Sequence, residues 1–108
     1  MALTRDFRET VQARVRRDPA FRRGLLRDAV DALLGGEVQL GKEILRDYIH
    51  ATIGFPALAA KTKFHVKTLH QMFGPQGNPT AANLFEIIAF LQEQEGIRLQ
   101  VRASRLVA

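Results

Sequence analysis

Residues 55–73 read FPALAAKTKFHVKTLHQMF, and their spacing sets the plan of the chain. The run divides into two short helices, roughly Pro56 to Thr62 and Val66 to Phe73, with Lys63, Phe64 and His65 as the turn between them. Leu58, Thr62, Phe64, Leu69 and Met72 can all point toward one small core. That leaves Lys67, Thr68, His70 and Gln71 on an outer face. Ala59 falls where the two helices approach most closely, and a small residue suits such a contact.

Two short helices with a tight turn and a polar outer face on the second form the pattern of a DNA-binding helix-turn-helix. The C-terminal residues strengthen that pattern. Leu58 to Gly74 reads LAAKTKFHVKTLHQMFG, Gly77 to Gln92 reads GNPTAANLFEIIAFLQ, and Gly96 to Val101 reads GIRLQV. On these residues the chain, from about Leu40 onward, resembles the Cro/repressor-type (Xre) helix-turn-helix family, and within it the HigA-type antitoxin branch. That branch commonly shows an LA motif, a recognition helix, a Gly-Asn-Pro loop and a long apolar helix in this order. The resemblance covers roughly the last two-thirds of the chain.

The resemblance implies a lambda-repressor-like helix-turn-helix domain that represses transcription, in an antitoxin that regulates its own operon. Val66, Lys67, Thr68 and Gln71 fall on the positions that face the major groove in that family. Chemically, Lys67 can donate to guanine or to a phosphate, Gln71 can pair with adenine, and Val66 or the Thr68 methyl can touch a thymine methyl. His65 stands at the helix start, where it can cap the helix or meet the DNA backbone, and His70 shares the outer face. Lys61 and Lys63 flank the groove and suit phosphate contacts, or are simply solvated. Two positions depart from the family. Glycine is usual where Lys63 stands, at a turn whose backbone tends to be left-handed, so a lysine there is expected to carry strain. Phe55 replaces a polar residue that contacts phosphate in many relatives.

The 108 residues are the size of one domain, with an ordinary apolar fraction for a globular chain. There are no cysteines, which removes disulfides and cysteine zinc sites and fits a reducing compartment. No apolar run approaches the length of a membrane span, and MALTRDFRET lacks the apolar core of a secretory signal, so a cytoplasmic protein is expected. The net charge is +5, and the basic excess lies before Gly74. A cationic region followed by a neutral apolar helix suggests a DNA face and a separate association face.

Upstream, Leu3, Phe7, Val11 and Val15 recur every four residues, so residues 3–17 are expected to form an amphipathic helix. Arg5, Arg8, Arg14, Arg16 and Arg17 crowd its remainder, either as a basic arm or as a solvated face. A membrane-surface role is disfavoured by the absence of tryptophan. Asp18 can cap the next helix and Pro19 fits its first turn. Phe21, Leu25, Leu26, Ala29, Val30 and Leu33 give that helix a wide apolar face, and Gly35-Gly36 ends it. Residues 1–36 are thus a helical pair packed on the core of a unit spanning residues 37–108. A supporting helix over 37–53 faces inward through Leu40, Ile44, Leu45, Tyr48, Ile49 and Ile53, with Gly41 able to interrupt its first turn.

Gly74 to Pro79 is a loop by composition, and it is either a plain connection or a backbone contact to a DNA phosphate. No Gly-Lys-Ser/Thr succeeds it, so it is not a nucleotide loop. Thr80 is expected to cap a last helix running to about Glu95. Leu84, Phe85, Ile87, Ile88, Ala89, Phe90 and Leu91 leave it apolar nearly all round, which calls for cover from a second subunit or from the N-terminal helices. After Gly96, Ile97, Leu99, Val101 and Ala103 alternate with polar residues as in a strand. Lacking a second strand, it can pair with its own copy or with another protein. Leu84, Ile88, Leu91, Ile97, Leu99 and Val101 are therefore the candidate dimer interface.

Other chemistry finds little support. His65 and His70 are five apart, which does not stack two ligands on a helix face, and no metal or other cofactor is expected. Ser104, the sole serine, lies in an expected tail, and Asp28, Asp31, Glu93 and Glu95 read as solvated charges, so no enzyme is expected. The expected protein is mainly α-helical, a homodimer on an imperfectly palindromic DNA duplex, with a RelE-like toxin as a further partner. The rival expectation is a protein-binding module in which the helix-turn-helix is only scaffold and the strand or N-terminal helices bind a partner.

Overall fold

The computed structural model describes residues 5–107, for Arg5 and Arg8 the backbone alone. Leu3 lies outside them. Among the described residues six helices succeed one another: α1 (Arg5–Arg17), α2 (Pro19–Leu34), α3 (Val38–Ala51), α4 (Phe55–Lys61), α5 (Val66–Met72) and α6 (Ala81–Glu95). Among the described residues no helix is long and apolar enough to cross a membrane.

The helix boundaries have local causes. The Asp18 carboxylate accepts the Phe21 amide at 3.2 Å, which supplies one of the bonds the first turn of α2 lacks, and Pro19 opens that turn. The Thr80 hydroxyl does the same for α6, accepting from the Asn83 amide at 3.1 Å. Gly96 ends α6 in the left-handed conformation, and the Ile97 amide returns to the Gln92 carbonyl. Gly41 does not interrupt α3. The helix runs through it, and a side chain there would collide with Leu33 of α2, so glycine serves the close approach of α2 and α3.

One core joins α2 to α6. Leu26 and Ala29 of α2, Leu45 and Ile49 of α3, Leu58 of α4, Leu69 and Met72 of α5, and Leu84, Ile87, Ile88 and Leu91 of α6 are all buried in it. α1 packs on α2 and α3, burying Val15 and half-burying Val11, while Phe7 is largely exposed. Leu40, expected inside, is exposed near the start of α3.

Two expectations fail in this frame. The segment after Gly96 is not a strand: among the described residues it has no neighbouring strand to pair with. Ile97 and Leu99 still pack against the core, and the Leu99 amide is taken up by the Gln92 side chain at 2.8 Å, but Val101 is 78% exposed and Ala103 is exposed too. The alternation is a burial pattern at its first two apolar positions only. Leu84, Ile88 and Leu91, expected at a dimer interface, are interior to the chain, buried in the core shared by α2 to α6. Phe85 is 54% exposed.

Candidate nucleic-acid interface

α4 and α5 are each seven residues long, too short to persist alone, so their packing must hold them. Phe55 and Leu58 anchor α4; Leu69 and Met72 anchor α5; Phe64 is buried in the connection. The turn needs no left-handed residue. Thr62 is extended, and its hydroxyl donates to the Leu58 carbonyl at 2.8 Å while accepting the Phe64 amide at 3.4 Å. Among the described residues no non-glycine residue has a positive φ, so Lys63 carries none of the strain expected there. The threonine bracket replaces the glycine.

Phe55 is the second departure, and its role is internal. Its ring packs edge-on to His50 of α3, at 4.8 Å between centroids, and lies 4.7 Å from His70 of α5 and 6.0 Å from Phe73. It thus ties three helices together beneath the outer face.

With Leu69 and Met72 turned inward, Val66, Lys67, Thr68, His70 and Gln71 are exposed on α5, beside exposed Lys61 and His65. Among the described residues, no side-chain hydrogen bond or ion pair engages Lys61, Lys67, Thr68 or Gln71. His65 occupies the position before α5 but makes no capping bond with its side chain, contrary to one of its two expected roles. Lys63 differs from the others. Its Nζ lies 3.6 Å from the Glu86 carboxylate of α6 and 5.5 Å from the Phe64 ring centroid, an exposed pairing of little energetic weight. His70 is partly committed to Phe55. It also stands 6.4 Å from His50, whose pKa is held below the ordinary histidine value by burial first, and then by the charges of His70 and Arg46, against a smaller opposing effect of Asp47. Among the described residues no group of three or more histidine or acidic side chains is placed to hold a metal ion.

Two polar centres behind this face are not evident from the sequence. Lys42 of α3 is 1% exposed, and its Nζ donates to the carbonyls of Gly74 at 3.0 Å and Gly77 at 2.6 Å. Glu95, expected to be a solvated charge, has a side chain only 4% exposed. Arg22 donates to it through Nε at 2.7 and 2.9 Å, and the Tyr48 hydroxyl donates to it as well. Arg22 also donates to the Val15 carbonyl at 3.1 Å, so α2, α3 and α6 meet at one carboxylate and the arginine ties α1 to them. Burial pushes the Glu95 carboxyl up, but the Arg22 and Tyr48 hydrogen bonds and the arginine charges outweigh it and hold it below the usual range. Burial, then the bond to Glu95, pushes the Tyr48 phenol well up. A signal for both centres exists. Lys42 is in helical register with Leu45 and Ile49, and Glu95 with Leu84, Ile88 and Leu91, so each interrupts an apolar row.

No protein-family model, no curated protein and no solved structure matches the chain.

Proposed function

We propose that this chain is a sequence-specific DNA-binding transcriptional regulator of the lambda-repressor-like helix-turn-helix kind, with α5 as the recognition helix. The observation that carries the reading is the outer face of α5: Lys67, Thr68 and Gln71 are exposed and unengaged on a helix whose other side is locked into the core. Unpartnered donors and acceptors on a rigidly held helix are what base edges require. Gln71 pairs with adenine, Lys67 with guanine or a phosphate, and Val66 and Thr68 meet thymine methyls. Lys61 and His65 lie against the phosphate backbone, with Lys63 and His70 at its margin.

Two copies would place their α5 helices in successive major grooves, ~34 Å apart on an imperfect palindrome. Since Leu84, Ile88 and Leu91 are interior, association draws on Phe85, Val101 and the partly exposed Ile97 and Leu99. The resemblance to HigA-type antitoxins extends the proposal to an autoregulating antitoxin with a RelE-like toxin as partner.

A protein-binding module is the second reading. A groove of about 250 Å³ between α2, α6 and the C-terminal segment favours it, since Leu34, Phe85, Leu99 and Val101 line it. Fluorescence anisotropy with random-sequence duplex at two salt concentrations separates the readings. A DNA binder making several phosphate contacts loses affinity steeply as salt rises, and selects a sequence from a random pool. A module with no DNA role enriches nothing at any salt.

A further inference from the structure

A buried lysine without a carboxylate partner is costly, because its ammonium surrenders hydration for whatever the protein offers instead. Lys42 is such a residue. Among the described residues no acidic side chain pairs with it, and both of its acceptors are carbonyls of the loop beyond α5. That loop is folded tightly against the helix end. The Gly74 amide bonds to the Gln71 carbonyl at 3.3 Å, and the Gly77 amide bonds to the Gly74 carbonyl at 3.1 Å. A Cβ at Gly77 would overlap the Gln71 and Met72 carbonyls, so the loop backbone lies directly over the last turn of α5. Lys42 therefore connects α3 to the turn that carries Gln71, across more than thirty residues of chain.

We infer that Lys42 is a positioning residue for DNA recognition: through the Gly74 and Gly77 carbonyls it fixes the end of α5, and with it the aim of Gln71. The inference rests on the proposed DNA-binding function. Lys42 touches no DNA itself, since its side chain is enclosed. Its removal should therefore cost specific binding without changing how many phosphates the protein neutralises.

The test uses the full chain and a duplex that the wild type enriches from a random-sequence pool. Lys42→Met keeps the volume and removes the two bonds; Gly77→Ala pushes the loop off α5 while leaving Lys42 intact. Each variant should bind the enriched duplex about tenfold more weakly, with binding to scrambled duplex and the salt slope unchanged. The double variant should be no weaker than the poorer single one, because both changes break the same contact. Wild-type affinity in both single variants overturns the inference. So do additive losses, or a salt slope reduced by about one in Lys42→Met, which would mean a direct phosphate contact. If Lys42→Met does not fold, Gly77→Ala decides alone: a loss confined to the enriched duplex supports the inference and unchanged binding overturns it. A wild type that enriches no duplex defeats the DNA-binding reading itself, a different failure from a wild type that selects DNA and variants that match it.

Discussion

The junction at Glu95 and the outer face of α5 are both polar, yet they are built oppositely. At Glu95, the polar side chains interrupt apolar rows: Glu95 continues Leu84, Ile88 and Leu91, and Arg22 continues Leu26 and Ala29. Helical register carries them into the interior, where Arg22, Tyr48 and Glu95 satisfy one another. On α5, Lys67 and Gln71 are out of step with the buried positions Leu69 and Met72, and register carries them out to solvent, with Thr68 exposed beside them. A polar residue in step with a buried row is committed to the fold. One out of step is available to a partner, and only the second kind can touch one directly.

That contrast breaks if the two regions respond alike to mutation. The largest effect is expected at the junction. Glu95→Ala leaves Arg22 and Tyr48 without their shared acceptor and should lower unfolding stability by about 2–4 kcal/mol. Urea unfolding measures it, and DNA affinity of the folded fraction should be unchanged. Next come Lys67→Ala and Gln71→Ala, each weakening specific DNA binding by about 1–3 kcal/mol if they read bases. Their stability should stay within about 0.5 kcal/mol of wild type, since neither side chain has an internal partner.

The pH dependence of stability sharpens the contrast further. Glu95 titrates below its ordinary value in the folded chain, so the unfolded chain binds its proton first as pH falls. Its contribution is present above the ordinary carboxylate range and is lost as pH falls through the lowered folded value. His50 is lowered as well, so stability also declines as pH falls below the ordinary histidine value, until the folded chain takes up the proton too. Urea unfolding from neutral to acidic pH should show both declines, and Glu95→Gln should flatten the lower one only. The smallest expected effect is at Lys61. Lys61→Ala should weaken enriched and scrambled duplex alike and reduce the salt slope by about one, as loss of a single phosphate contact requires.

Much of this architecture is legible in the sequence because its signals are local. The Asp18-Pro19 start, the Thr80 cap, the Gly96 stop and the two-helix pattern over residues 55–73 each act within a few residues. The remainder depends on partners distant in sequence. Nothing near Glu95 announces Arg22, and nothing near Lys42 announces the carbonyls of Gly74 and Gly77; only their place in an apolar row hints at burial. A strand at Ile97 to Ala103 does not form because alternation records which side chains are buried, while a strand also needs a pairing backbone. Strain at Lys63 does not arise because a turn that often uses glycine can be closed instead by a threonine hydroxyl one residue earlier. The candidate site is legible for a simpler reason: exposure of Lys67, Thr68 and Gln71 accompanies burial of Leu69 and Met72 on the same short helix.

The most direct test of the central claim is the ratio of affinities for DNA from just upstream of the chain's own gene and for scrambled DNA, measured by fluorescence anisotropy for the wild type and for Gln71→Ala. A DNA-reading α5 predicts a high ratio in the wild type that collapses in Gln71→Ala while scrambled-DNA affinity stays the same. Equal losses on both duplexes would contradict base reading by Gln71. A wild-type ratio near one at low salt would contradict DNA recognition by this face, and would leave the groove beside Phe85 as the surface to pursue.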